Sequence, residues 1–360
     1  MGVGFNNFEE ICPIRHLCPI FSLKVNIDDE MLNLLSSADR FLGRLDGIYE
    51  LLPDVDFFIF MYIRKEATSS SQVEGTQATF YDVLKMEAKI LDPTIPSDVK
   101  EIINYIEAMN YGIERLKELP LSLRLIREIH SILLKGVRGQ ERFPGEFRKT
   151  QNWIGGRTPK TAVYVPPPPD KLMPLLDNFE KFLHADVNIP ILIKTPLIHS
   201  QFELIHPFLD GNGRTGRLLI TFYLYERGIL RKPLLYLSDY FRRYRSLYYD
   251  RLDAISKKDD IEGWVKFFLE AVIEISKEAV ELSRKIIELR ERDRKKIAYL
   301  GKSAKPALLL LERLYNQPFI TANNLIKKFL KLGVLKEWGN RKRNRVFFYE
   351  EYLNLFHQKE

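Results

Sequence analysis

Cys12 and Cys18 are the only thiols in this 360-residue chain. So little cysteine fits a reducing cytoplasm. A zinc site is excluded on ligand supply: His16 stands between the two cysteines, and no second Cys or His cluster completes a set of four. Two ordinary thiols are expected. Long apolar runs are also missing. None reaches the roughly 18 residues that a membrane span needs, and the first residues hold acids where a secretory signal holds bases. The chain is therefore expected to be soluble and cytoplasmic, with no membrane partner. It has no internal repeat and no low-complexity tract.

What is present is the composition of a folded protein. The chain is 45% hydrophobic and 29% charged, enough to bury a sizeable core. The net charge of +7 favours an anionic partner without choosing between nucleotide, nucleic acid and acidic protein.

Apolar residues recur at helical spacing over most of the length. Helices are predicted over residues 28–49, 56–74, 97–119, 121–134, 170–182, 190–205, 215–227 and 261–290. Gly75 stands at a helix stop, Ser97 and Asp170 read as N-caps, and Pro120 closes the third helix. Two segments break the pattern. Residues 143–169 are rich in Gly and Pro, and Trp153-Ile154 with residues 162–165 reads as a small hairpin, followed by the stiff run Pro166 to Pro169. Residues 333–338 and 345–349 alternate around Gly339-Asn340 as a basic two-stranded ribbon.

Residues 206–217, HPFLDGNGRTGR, concentrate the chemistry. Gly211 and Gly213 flank Asn212 ahead of a helix, so backbone amides and the helix dipole can form an anion hole. Arg214 and Arg217 are three apart and can reach terminal phosphates. Asp210 is placed to hold Mg²⁺ beside phosphates. A neutral His206 could take a proton from an incoming hydroxyl. Phe208 is expected in the core. GNGRTG also matches the dinucleotide fingerprint G-x-G-x-x-G, but HPFLD is a poor strand and its flanks are helical, so that reading is set aside.

The twelve residues match the core motif of the Fic family, H-x-F-x-[D/E]-G-N-G-R-x-x-R, at every fixed position. IGGRTPKTAVYVPPPP resembles that family's flap hairpin, and LLYLSDYFRRYRSLYYDRL the helix that follows the motif. The likeness covers most of residues 30–255. It implies a mainly α fold: a Fic-type helical bundle with a β-hairpin flap, followed by a winged-helix-like α+β module. The regions would be 1–110 (N-terminal helices), 111–255 (catalytic core), 256–300 (connecting helix) and 301–360 (module). The implied activity is protein adenylylation, moving AMP from ATP to a Ser, Thr or Tyr hydroxyl of a target or of the chain itself. His206 would be the base and Asp210 the Mg²⁺ ligand. Gly211, Asn212, Gly213, Arg214, Thr215, Gly216 and Arg217 would form the phosphate site. Thr158, Thr161, Val163 and Val165 would pair with the target by strand addition. The flap reads Arg157-Thr158-Pro159-Lys160, where many relatives have Thr-Arg-Pro-Gly. Tyr248 or Tyr249 would stack on adenine or, equally, sit in the core.

Ser70 and Glu74 are four apart and share a helix face. Followed by Gly75, they resemble the family's inhibitory pattern [S/T]-x-x-x-E-[G/N]. Glu74 would then pair with Arg217 and restrain the reaction, or direct a water to remove AMP. In the module, residues 306–315 and 321–332 are predicted helices, and Arg341, Lys342, Arg343 and Arg345 could meet phosphates at the ribbon tip. One helix stands there where a helix-turn-helix has two, which leaves DNA binding in doubt. The alternative function is an ATP-sensing DNA-binding regulator. Transfer of UMP, phosphate or phosphocholine stays open, and a homodimer is compatible with the sequence.

Overall fold

The computed structural model describes residues 25–51, 55–90, 92–321, 324–339 and 345–356. Cys12, His16, Cys18, Arg341, Lys342 and Arg343 lie outside them. The fold is mainly α. The helices are α1 (Asp29–Leu51), α2 (Val55–Val73), α3 (Phe80–Glu87), α4 (Val99–Arg115), α5 (Leu123–Leu133), α6 (Pro169–His184) and α7 (Ile191–Ile205). They continue as α8 (Asn212–Glu226), α9 (Ser238–Arg243), α10 (Arg245–Lys258), α11 (Ile261–Ala298), α12 (Ala304–Asn316), α13 (Ile326–Lys331) and α14 (Glu350–Phe356). Among the described residues, no helix is long and apolar enough to cross a membrane.

Caps explain several of the boundaries. Ser122 opens α5 by accepting from the amide of Leu125, and Asp260 opens α11 in the same way through Gly263. α3, which periodicity did not predict, starts at a reciprocal Thr79–Asp82 box. Ser97 does not cap α4: the helix starts at Val99, and Asp98 instead accepts from the amide of Gln77. Asp170 falls inside the first turn of α6, where the dipole favours an acid. The segment after α8 is two helices, broken at Tyr244. α11 runs 38 residues, eight past the predicted end, because apolar positions persist to Ile297.

α7 forms the centre. Thirteen of its fifteen residues are buried, so packing rather than amphipathicity holds it. It lies against α8 and α6, while α2 packs on α4 and α9, and α1 runs along α11. Trp264 of α11 is fully buried and donates to the carbonyl of Pro196 in α7 at 2.8 Å. Each such aromatic or aliphatic side chain contributes roughly 1.5–3 kcal/mol by burial.

The C-terminal residues make a small α+β module. Its antiparallel sheet has the order β1 (Phe319–Ile320), β3 (Val346–Phe348), β2 (Lys336–Trp338), with Phe347 opposite Glu337. The predicted ribbon is there, and β1 and α14 extend it. The helix predicted over 321–332 is shorter, Ile326–Lys331.

Candidate functional site

The site is built where α7 ends and α8 begins. His206 caps α7 in the left-handed region, φ 48°, ψ 61°. A non-glycine residue resists that conformation by about 1–2 kcal/mol, so its surroundings must impose it. Arg148, nearly fully buried, donates from Nε to the carbonyl of His206 at 2.9 Å, and its backbone amide donates to Pro207. Asn152 donates to the carbonyl of Phe208 at 2.9 Å. From below, His130 stacks on Phe208 with centroids 3.6 Å apart. The amide of Gly145 donates to its Nδ1, so its Nε2 carries the proton and donates to the carbonyl of Asp210.

The His206 ring has a defined tautomer too. Nδ1 lies 3.2 Å from the carbonyl of Glu203, which can only accept, so Nδ1 holds the proton and Nε2 keeps its lone pair. Burial pushes the imidazole down to about 4, so it is neutral at pH 7.

α8 begins three residues earlier than predicted. Gly211 is its N-cap at φ 77°, a conformation that glycine supplies at little cost. Asn212, Gly213 and Arg214 therefore form the first turn, whose amides have no acceptor within the helix. Arg214 and Arg217 rise from it, 1% and 2% exposed. Arg214 faces Glu101 at 3.5 Å, and its Nε has no partner. Arg217 donates from Nε to the Ser70 hydroxyl at 2.8 Å and from one terminal nitrogen to both the Ser70 carbonyl and Glu74 Oε1, the latter at 2.8 Å. Its other terminal nitrogen is buried without a partner.

Glu74 stands in the turn just past the end of α2, and Gly75 leaves it at φ 94°. Its carboxylate lies so close to Gly213 that an added Cβ there would run into Oε1. An anionic oxygen thus sits on the amide-rich turn and on Arg217 together. Burial pushes the Glu74 carboxyl up, but the Arg217 charge and hydrogen bond outweigh it and hold the group below the usual range. Asp210 is partly exposed; one oxygen accepts from the amide of Gly211 at 2.6 Å and lies 3.9 Å from Arg214.

Four of the expected site residues have their side chains or carbonyls engaged within the protein. Both ends of the Asn212 amide close on the backbone of Phe208 at 2.8 Å, so its side chain shapes the turn. Thr215 donates to the carbonyl of Gly211, one turn back. Gly216 lies against α7, and its carbonyl accepts from His199 Nδ1. Tyr248 is buried in an aromatic cluster with Phe241 and Trp264, its hydroxyl donating to His199 Nε2. That is the core reading of Tyr248, not the adenine one. Tyr249 instead lines a cavity of about 280 Å³ with Ile154, Val163, Tyr164, Glu203 and Leu204.

The flap is a hairpin reduced to a single bridge, Ile154 to Tyr164, with a 3₁₀ turn at Pro159–Thr161. Thr158 and Thr161 cap that turn reciprocally, while Val163 and Val165 are exposed. Tyr164 ties the flap to α7 by donating to the carbonyl of Leu204.

Two family models match this chain: Fic/DOC family N-terminal over residues 32–114 and Fic/DOC family over 120–224, together more than half of it. The chain belongs to the Fic/DOC family. It is 32% identical over 209 residues to the protein adenylyltransferase Fic of Drosophila grimshawi, covering 54% of this chain and 38% of that one. The Drosophila willistoni counterpart is 31% identical over 204 residues, covering 54% and 37%. The chain thus matches well under half the length of these relatives. Among solved structures, a Fic family protein from Desulfovibrio desulfuricans G20 aligns with TM-score 0.62 at 20% identity, covering 90% of this chain and 97% of its own. A Fic domain containing signaling protein from Bacteroides thetaiotaomicron aligns with TM-score 0.58 at 18% identity, covering 69% and 97%. These likenesses concern the fold.

The sequence did not point to Glu101, His130, Arg148, Asn152 or Glu203. Glu203 alone left a trace, as the one acid in a largely apolar helix; the rest are single polar residues whose meeting depends on packing.

Proposed function

We propose that this chain transfers AMP from ATP to a hydroxyl of a protein, its own included, and that Glu74 restrains the transfer. The carrying observation is the Glu74 carboxylate lodged on Gly213 and Arg217 at the head of α8. A carboxylate there stands in for a phosphate: same sign of charge, same amide-rich turn, same guanidinium. The unspent donors on Arg214 and Arg217 fit a larger anion than the one now present. The named activity of the relatives agrees with this reading.

In the reaction, the acceptor hydroxyl oxygen attacks the α-phosphorus as His206 Nε2 takes its proton. The bond from the α-phosphorus to the bridging oxygen breaks, and pyrophosphate leaves with the electron pair. Arg214, Arg217 and the first-turn amides of α8 stabilise the growing charge. The negative polyphosphate raises the imidazole from about 4 toward a useful basicity. Asp210 would hold Mg²⁺. Among the described residues, no cluster of three or more His, Cys, Asp or Glu gathers, so Asp210 would be the protein's one carboxylate to the ion, with phosphates and water as its other ligands. An ion held there would supply positive charge against the phosphates. The cavity beside Tyr249 would take the base, and Thr158, Thr161, Val163 and Val165 would meet the target. Residues 1–110 would form the restraining region, 111–255 the core, 256–300 a connector and 301–360 an accessory module.

The test uses the Glu74→Gly chain with Mg²⁺ and ATP labelled at either the α- or the γ-phosphate. Protein-bound α-label without γ-label is expected. Retained γ-label would mean phosphoryl transfer, and no label from either would leave only nucleotide sensing.

A further inference from the structure

Glu203 is the acid on α7 whose carboxyl no protein contact explains. Its Oε1 is buried without a hydrogen-bond partner. It lies over α8 so closely that a Cβ at Gly216 would run into it, and Gly216 is the residue that makes room. The same side chain lines the cavity with Tyr249, Leu252, Asp253 and Ser256. It also feels the charges of Arg217 and Glu74. It therefore lines the cavity within electrostatic reach of the Arg217–Glu74 pair.

This inference rests on the nucleotide reading above. With phosphates at Arg217 and the base in the cavity, the group between them is the sugar. We infer that Glu203 hydrogen-bonds a ribose hydroxyl and makes the site select ribonucleotides over deoxyribonucleotides. The chemistry suits the position. Burial pushes the carboxyl up to about 8, so at pH 7 it is neutral and can both donate and accept. A neutral group adds no repulsion against a triphosphate, which an ionised carboxylate would. A deoxynucleotide leaves the carboxyl buried and unpaired, and that loss is the source of discrimination.

The experiment measures binding of ATP, 2′-deoxy-ATP and 3′-deoxy-ATP by titration calorimetry, with Mg²⁺, to the full chain carrying Glu74→Gly. ATP should bind roughly tenfold tighter than at least one analogue, a hydrogen bond's worth. Adding Glu203→Ala should bring that ratio to within about twofold, while Glu203→Gln, which still donates and accepts, keeps most of it. The ratio is taken within each variant, so a smaller folded fraction does not change it. A parent with no preference, or a Glu203→Ala variant with the parent's ratio, overturns the assignment and leaves the nucleotide reading intact. A parent that binds no nucleotide overturns both.

Discussion

Two regions of this chain collect arginines around a glycine turn, and they use them in opposite ways. At the head of α8, Arg214 and Arg217 are buried, and their acidic partners lie 113 and 143 residues away in sequence. On the C-terminal ribbon, Arg345 is exposed, and its partner Glu337 lies eight residues away on the facing strand. In the first region the whole fold holds charges that do not satisfy one another completely. In the second, a local pair satisfies itself in water. Incomplete satisfaction under burial at a glycine turn, rather than basic character alone, is what supports reading the first region as a binding site.

The contrast can be broken most severely at His206. His206→Ala should lower α-label transfer by about 10²–10⁴-fold, the usual worth of a positioned base, with ATP affinity unchanged. Equal transfer by the variant would place the proton acceptor elsewhere. Glu74→Gly comes next. Arg217 cannot serve a carboxylate and a terminal phosphate together, and a misplacement near ~1 Å costs ~100-fold in rate, so freeing it should raise self-labelling by about that factor. The same change strands a buried guanidinium and should lower stability by about 1–3 kcal/mol. A variant both faster and less stable is the expected signature; unchanged activity would remove the restraint.

Acid should separate the two regions. His206 and His130 are pushed down to about 4 and His199 to about 3, each chiefly by burial. Unfolded histidine titrates near ~6.5. Between that value and about 4 the unfolded chain binds more protons, so the stability carried by these rings is full above ~6.5 and falls as pH drops. Residues 301–356 contain no histidine. Glu203, pushed up to about 8, works the other way over this interval, but one carboxyl is outweighed by three rings, so hydrogen exchange at pH 5 against pH 7 should show protection lost first over residues 199–217, with α12 and the sheet following later. Loss in the reverse order would contradict the histidine account.

These predictions also mark what was legible. The turn could be read because its base, acid, glycines and arginines are consecutive, and Glu74 because the pattern Ser70…Glu74-Gly75 is local. His130, Arg148, Asn152 and Glu203 could not, since α5, the flap approach and α7 meet only through packing. The helices of the core were visible in their periodicity, and most errors fell at their ends. α8 began early because glycines that read as loop are tolerated in a first turn, and α3 went unseen although its Thr79–Asp82 box was written in the chain. Tyr248 was ambiguous because an aromatic on a helix looks the same whether it meets a ligand or other aromatics.

A buried tie joins the module to α11. Tyr349 donates to Asp293 of α11 at 2.5 Å, and that carboxylate is fully buried with Arg292 and Lys296 beside it. Tyr349→Phe should cost about 1–2 kcal/mol, because Asp293 loses one donor but keeps its cations. Calorimetry should register that loss with no change in labelling.

Arg345→Ala should have the least effect. The guanidinium lies over Phe347 as well as facing Glu337, yet both charged ends stand in water. Solvent and salt screen such a pair, and water replaces the partner on either side once it is gone. The melting temperature should move by less than about 2 °C, and raising the salt concentration should erase what difference there is. A large drop would mean that the ribbon depends on this pair as α8 depends on Glu74. The two arginine-bearing turns would then differ only in exposure, and partner satisfaction would no longer tell a binding site from a surface.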